Sequence, residues 1–206
     1  MWDFVRDSTP SRQRQRYGDI DFDWEHRVDT TEATVSFRNR LLGVFHSAYQ
    51  PTAPEAFHEM IGQLGIDYSD FTFIDLGSGK GRTLLMASEY PFRRVLGVEL
   101  LPELHNIALD NIARYKGGVG DRVHSICADA RSFDFPPDPT ILFLFNPFPQ
   151  TVLEDVLRQL MQSLEKHKRT VYLIYHNPVL ELVLANKPDL KLVRRADQYS
   201  IFVTSL

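Results

Sequence analysis

The sequence predicts an α/β fold with a mostly parallel sheet that ends in an antiparallel hairpin. From Phe71 onward, short apolar segments alternate with amphipathic ones, which is the pattern of βαβ units around a parallel sheet. Three glycines between Asp75 and Gly81 mark a sharp turn from the first strand into a helix. The last two apolar segments are separated by only a few residues, and so short a connection permits an antiparallel hairpin but no parallel crossover.

Each predicted strand is an apolar or alternating run that is bounded by turn residues. The five strands expected to be parallel are Phe71 to Leu76, Arg94 to Glu99, Arg122 to Cys127, Ile141 to Phe145 and Thr170 to Tyr175. The hairpin strands are predicted near Leu190 to Arg194 and at Tyr199 to Val203. Helices are expected near residues 81–90, 102–115 and 152–164, with a short one from Pro178.

The 206 residues are enough for one domain with a sizeable core. Residues 1–30 carry no apolar period and are predicted to be a polar N-terminal arm. The domain itself is expected over 31–206, with N-terminal helices in 31–68 and the α/β core in 69–206. The first of these helices is predicted near 31–47, and the second follows Pro51. Sequences typical of capping boxes, Thr52 to Glu55 and Thr151 to Glu154, predict where two of the helices begin.

Composition indicates which kinds of binding partner and which cellular compartment to expect. The formal charge of -4 gives no general attraction to nucleic acid or membrane, and a nucleic-acid partner is not favoured, since basic residues alternate only from Arg12 to Arg16. The N-terminus lacks the apolar run of a signal peptide or spanning helix, so a cytoplasmic protein is expected. Cys127 is alone, fits a reducing compartment and is expected to be core packing. No histidine or cysteine spacing indicates a metal site.

The glycine-rich turn indicates a nucleotide-type ligand, and its neighbours discriminate among the possible ones. A P-loop requires a glycine at position 74 and Ser or Thr after Lys80, where this chain has Ile74 and Gly81. A dinucleotide site requires a glycine in place of Arg82, and the pyrophosphate would be repelled by Asp75. S-adenosylmethionine instead carries an ammonium and a sulfonium, which a carboxylate at Asp75 attracts.

The stretch from Asp75 to Gly81 resembles motif I of the class I S-adenosylmethionine-dependent methyltransferases. The resemblance extends over about residues 49–206, and the Asp-Leu-Gly-Ser-Gly sequence is nearest to a group that includes non-SET protein-lysine methyltransferases. It implies a Rossmann-like seven-stranded, mostly parallel sheet with an antiparallel C-terminal hairpin, helices on both faces and an N-terminal helical extension. It also implies that the cofactor contacts Asp75, Gly77, Ser78, Gly79 and Gly81.

Further positions match the cofactor residues of this family. Glu99 ends the second strand and resembles the acid that accepts hydrogen bonds from both ribose hydroxyls. Asp129 and Ala130 resemble the pair that contacts adenine, although Asp129 also suits a simple turn. The sequence from Tyr49 to Thr52 resembles a Tyr-x-Pro-Thr stretch that closes over the cofactor in some lysine methyltransferases, although Thr52 also suits a helix cap. Phe133 suits either an adenine contact or the core.

Asn146, Pro147 and Phe148 follow the fourth strand and resemble motif IV of amino-methyltransferases. In that motif an amide oxygen and a main-chain carbonyl hold the acceptor nitrogen while an aromatic ring packs on it. This chain has one proline where the motif has two, which shifts Phe148 relative to Asn146. His176 follows the fifth predicted strand, where it suits proton transfer, although Asn177 and Pro178 after it equally suit the N-cap and first residue of a helix.

The function predicted from these residues is methyl transfer from S-adenosylmethionine to an amine nitrogen, with S-adenosylhomocysteine as the product. A protein lysine is the favoured acceptor. The alternatives are a small-molecule or nucleobase N-methyltransferase and a non-catalytic module that binds the cofactor and a partner. A dinucleotide-dependent oxidoreductase is disfavoured by Asp75 and Arg82. The predicted partner is therefore a protein or a small amine, with no membrane.

Overall fold

The computed structural model describes residues 21–31, 51–145 and 148–204. These residues form a seven-stranded sheet in the order β3-β2-β1-β4-β5-β7-β6, with β7 antiparallel to both of its neighbours. The strands are β1 (Thr72–Leu76), β2 (Arg94–Glu99), β3 (Val123–Cys127), β4 (Thr140–Phe145), β5 (Val171–His176), β6 (Leu190–Arg195) and β7 (Tyr199–Thr204). The predicted fold class is confirmed.

Helices pack on both faces of the sheet, as the alternation of elements requires. They are α1 (residues 21–26), α2 (Pro54–Gly62), α3 (Arg82–Ala87), α4 (Pro102–Arg114), α5 (Gln150–Lys166) and α6 (Glu181–Ala185). The core on one face includes residues of α2 and α3, and the core on the other face includes residues of α5 and α6. The predicted helix near 31–47 lies outside the described residues.

The central strands are apolar on both sides because helices cover both faces. Phe73 packs into one core and Ile74 into the other, and β1 is buried along its whole length. In the parallel register Asp75 lies beside Gly97 of β2 and Phe143 of β4. This register brings the carboxyl ends of β1, β2 and β4 to one edge of the sheet.

The two predicted capping boxes are wrong. Helix α2 begins at Pro54 with Ala53 as its N-cap residue, and no side chain caps it. Proline at the first position has a fixed φ and no N–H to satisfy, so Thr52 is not needed there. Helix α5 likewise begins at Gln150, after Pro149, without a side-chain cap. Thr52 lies upstream of α2 and is buried.

Cys127 was expected in the core and is exposed instead. It ends β3, which is an edge strand of the sheet, and only the first residue of this strand, Val123, is buried. An alternating strand at an edge leaves much of its surface in water, so the apolar neighbours of Cys127 do not imply its burial.

No helix in the described part of the chain has the length and apolar content to cross a membrane.

Gly97 provides a test of how tightly the sheet packs under the glycine loop. A Cβ at this position would lie 2.6 Å from Leu84 Cδ1 and 2.7 Å from Ser78 Oγ. We therefore expect Gly97→Ala to lower the free energy of unfolding by about 1 to 3 kcal/mol, measured by urea denaturation. Gly62→Ala is the control, because nothing lies within 4 Å of a Cβ there. Equal stability of the two variants would contradict this packing.

Candidate functional site

The loop from Gly77 to Gly81 connects β1 to α3 and is fixed to the neighbouring strand. The N–H groups of Gly77 and Ser78 donate to the Val98 carbonyl oxygen of β2, at 2.8 and 3.1 Å. Gly81 is the N-cap residue of α3 and has a φ of 83°, in the left-handed region. A Cβ on Gly81 would also lie 3.1 Å from Ala108 Cβ of α4, so conformation and space both favour glycine.

Asp75 lies near the end of β1, just before this loop, and is 4% exposed. The hydroxyl of Thr83, in the first turn of α3, donates to its Oδ2 atom. Burial raises the pKa of Asp75 to about 7; the Thr83 hydrogen bond opposes this rise, and the charge of Glu99 adds to it. Two buried carboxylates that repel each other favour a positively charged ligand nearby.

Glu99 ends β2 and is 5% exposed. Its Oε2 atom accepts from the Gly79 N–H at 2.8 Å, and its Oε1 atom accepts from the Leu101 N–H at 2.9 Å. Burial raises the pKa of Glu99, while these backbone hydrogen bonds act to lower it. Each oxygen keeps a further lone pair, so the carboxylate can still accept from two hydroxyl groups.

Asp129 and Ala130 follow β3 at the same edge of the sheet. Asp129 is half-buried; its carboxylate accepts from the Arg131 backbone N–H and side chain, at 2.9 Å each. These contacts hold the pKa of Asp129 below its usual value, Arg131 being the main cause. Ala130 is buried. Phe133 packs edge-on against Phe135 with ring centroids 5.2 Å apart, so it belongs to the core.

The ends of β4 and β5 form the adjacent part of this edge. Phe145 and His176 are register partners, and their rings stack with centroids 4.1 Å apart. Burial lowers the pKa of His176 to about 4, and its Nδ1 atom has no hydrogen-bond partner among the described residues. Phe148 is half-buried against the core that contains α5. Asn146, Pro147 and Tyr49 lie outside the described residues.

The structure therefore places Asp75 just before the glycine loop and joins Glu99 to that loop through the Gly79 N–H. Asp129, Ala130 and His176 lie at the ends of strands on the same edge. In open parallel sheets, ligands bind outside these carboxyl ends, where the strand order reverses. Here the order reverses between β1 and β4, beside Asp75. Within the described ranges, no group of three or more His, Cys, Asp or Glu side chains could hold a metal ion.

Sequence reasoning missed the contacts of residues 21–31 with this loop. Lys80 donates to Asp29 at 2.7 Å, and Arg82 donates to Thr30 at 2.6 Å. These residues lie in a stretch without apolar periodicity, which predicted a polar arm. A contact between polar residues about 50 positions apart leaves no periodic signal in a single sequence. Thr83 was also missed, although a hydroxyl one turn into the helix is well placed to reach a carboxylate at the strand end.

No protein-family model matches this chain, and no curated protein matches it. Several solved structures are similar to it. The RNA methyltransferase from Salinibacter ruber, in complex with S-adenosyl-L-homocysteine, has a TM-score of 0.52 and 22% identity, over 75% of this chain and 92% of that one. The precorrin-6y C5,15-methyltransferase from Geobacter metallireducens GS-15 has a TM-score of 0.54 and 17% identity, over 78% of this chain and 94% of that one.

The ribosomal protein L11 methylase from Lactobacillus delbrueckii subsp. bulgaricus has a TM-score of 0.51 and 18% identity, over 79% of this chain and 81% of that one. At such identities the similarity concerns the fold. Together with the strand order, it establishes that the chain has the Rossmann-like methyltransferase fold. The acceptors that these three proteins are named for differ in chemical class, so the fold does not determine the acceptor.

Proposed function

We propose that this protein is an S-adenosylmethionine-dependent methyltransferase. The observation that carries the proposal is a pair of buried carboxylates beside a loop rich in left-handed glycines: Asp75 lies just before the loop, and Glu99 accepts from its Gly79 N–H. S-adenosylmethionine would supply an activated methyl group on a positively charged sulfur. The residues present fit such a ligand, since the loop also contains Ser78, whose buried hydroxyl oxygen has no hydrogen-bond partner among the described residues.

Each cofactor residue has a role that follows from its chemistry. Asp75 would pair with the methionine ammonium, and Glu99 would accept from the two ribose hydroxyls while still holding the Gly79 N–H. Asp129 and Ala130 would contact adenine, with Arg131 orienting the Asp129 carboxylate. The remaining proposed cofactor contacts are Gly77, Ser78, Gly79, Gly81, Tyr49 and Thr52.

We propose an amine nitrogen as the acceptor, with a protein lysine favoured. A lysine with a pKa of ~10.4 is only about 0.1% neutral near pH 7.4, a penalty of roughly 4 kcal/mol, so the site must favour the neutral amine. Asn146 can accept an N–H without the full charge that would stabilise an ammonium. The lowered pKa of His176 keeps that ring neutral as well, so it adds no positive charge at the neighbouring strand end.

The proposal is tested by calorimetric titration with S-adenosylhomocysteine, with NADH as the control ligand. Micromolar binding of S-adenosylhomocysteine alone is the expected result. Binding of NADH alone would overturn the cofactor assignment, and binding of neither would favour a partner-binding module. Transfer of labelled methyl from S-adenosylmethionine is then measured with protein, small-amine and RNA acceptors. Labelling of amines or RNA without protein would support a small-molecule or nucleobase N-methyltransferase instead.

The raised pKa of Asp75 predicts that cofactor binding depends on pH. With a pKa of about 7, most of this carboxyl is protonated at pH 6, whereas the methionine ammonium binds the ionised form. The affinity for S-adenosylhomocysteine should therefore fall about tenfold from pH 8 to pH 6, with proton release on binding. Titrations at pH 6 and pH 8 measure the affinities. Repeating each titration in two buffers of different ionisation enthalpy measures the proton release.

The control for this pH dependence is Asp129→Asn. Arg131 holds the pKa of Asp129 below its usual value, so this group does not titrate between pH 6 and pH 8. The variant should therefore keep the pH dependence of the wild type, whatever its affinity. A wild-type dissociation constant that is the same at pH 6 and pH 8 would show that Asp75 is already ionised or does not meet the ligand.

A further inference from the structure

Residues 22–31, called the N-terminal brace below, fold around the carboxylate of Asp23. The N–H groups of Thr30 and Thr31 donate to its Oδ2 atom at 2.7 and 2.8 Å, and both hydroxyls donate to the same carboxylate. Thr30 is completely buried. Phe22 is buried as well and belongs to the core that contains α2 and α3. The brace is therefore an integral part of the packed structure.

The brace binds the residue that follows the last glycine of the loop. The guanidinium of Arg82 is 2% exposed; it donates to Thr30 Oγ1 at 2.6 Å and to Asp23 Oδ1 at 3.2 Å. It also lies over the Phe22 ring, 4.8 Å from the centroid. Removing one partner from such a buried charge pair leaves the other charge uncompensated. The Arg82 end of the loop is thus fixed by the brace.

The brace also binds the residue that precedes the last glycine. Lys80 is buried, and its ammonium donates to Asp29 at 2.7 Å. The side-chain amide of Asn111, in α4, donates to the Lys80 and Asp29 carbonyl oxygens at 3.0 and 2.9 Å. Its oxygen accepts from the Asp29 N–H at 2.9 Å. The side chains on both sides of Gly81 are therefore tied to the brace.

We propose that the N-terminal brace is part of the cofactor site, in which Asp23, Asp29 and Thr30 act as positioning residues that hold the loop Gly77 to Gly81 in its binding shape. This inference rests on the proposed function for the identity of the ligand. A loop with three glycines loses much conformational freedom when it is ordered. If the brace orders the loop before the ligand arrives, that loss does not weaken binding.

The test compares Thr30→Val with Thr30→Ser and Thr140→Val. Valine removes the hydroxyl that donates to Asp23 and accepts from Arg82, whereas serine keeps it. Thr140 is equally buried, but it lies at the amino end of β4, where its hydroxyl donates to the Asp138 carbonyl oxygen. Thr30→Val should raise the dissociation constant of S-adenosylhomocysteine about tenfold. Thr30→Ser and Thr140→Val should leave it within about twofold, although Thr140→Val should lower the melting temperature, because it removes a buried hydrogen bond.

A second measurement uses the wild-type protein and applies even if Thr30→Val does not fold. Because coupling is reciprocal, saturating S-adenosylhomocysteine should slow hydrogen exchange at the amides of Asp29, Thr30 and Thr31 about tenfold. If hydrogen exchange at these amides is unchanged by the ligand and the dissociation constant is unchanged in Thr30→Val, the brace has only a structural role. A wild-type protein that does not bind S-adenosylhomocysteine would overturn the proposed function itself, which is a distinguishable result.

Discussion

Asp75→Ala and Glu99→Ala should each abolish measurable binding of S-adenosylhomocysteine, and Asp75→Asn should weaken it by about 100-fold or more. Truncating one partner of a buried, hydrogen-bonded charge pair costs about 2 to 5 kcal/mol. Asp75 is buried, so water cannot replace the lost charge. Glu99→Ala would also free the Gly79 and Leu101 N–H groups that this carboxylate holds. Calorimetry measures the affinities.

Asp138→Asn is the matched control for these acid variants. Asp138 lies just before β4, at the opposite edge of the sheet, where it pairs with Arg93 and Arg94. Its replacement should leave the affinity for S-adenosylhomocysteine unchanged, even if the variant is less stable. Tight binding retained in both Asp75→Ala and Glu99→Ala would show that the ligand site lies elsewhere.

Asn146→Ala should leave cofactor binding within about twofold of the wild type and slow methyl transfer by about 100- to 1000-fold. Losses of this size follow the removal of one positioned polar group that acts on the reacting centre. Asn146→Asp should also slow transfer, because a carboxylate stabilises the ammonium form of the acceptor; its rate should recover partly at higher pH. Single-turnover assays with the acceptor found in the screen measure these rates.

The control for Asn146 is Gln150→Ala. Gln150 is an exposed amide nearby in the chain, at the start of α5, and it donates only to Glu154 among the described residues. It should transfer methyl groups at the wild-type rate. If Asn146→Ala transferred methyl at that rate as well, the resemblance to motif IV would carry no catalytic meaning. The acceptor assignment would then have to come from the acceptor screen alone.

Much of the fold could be predicted from local patterns. The predicted β2 has the observed bounds, and β5 is displaced by one residue, because a run of apolar residues fixes where a buried strand lies. The helix starts were less predictable, since α2 begins at Pro54 and α5 begins after Pro149, both without the threonine caps that the sequence indicates. Helix ends depend on one or two residues, and several local motifs compete there.

The candidate site was predictable only where it lies at strand ends. Asp75 is the last but one residue of β1 and Glu99 is the last residue of β2, so the position of each strand fixes the position of the side chain. The contacts of Asp29 with Lys80 and of Asp23 with Arg82 join distant parts of the chain. In the sequence, charged residues in a polar stretch look like a solvated surface. Only the packed structure distinguishes solvated charges from charges that are buried in ion pairs.

The insertion of β7 between β5 and β6 has a consequence for synthesis on the ribosome. Strand β5 reaches its antiparallel neighbour only after β6 and the following turn have been made. At about 5 to 20 residues per second, the apolar edge of β5 stays open for a second or more. An open, apolar edge is a template for pairing with other chains. Chains released from the ribosome with an end before Tyr199 should therefore aggregate or bind chaperones, whereas released chains that include Thr204 should not.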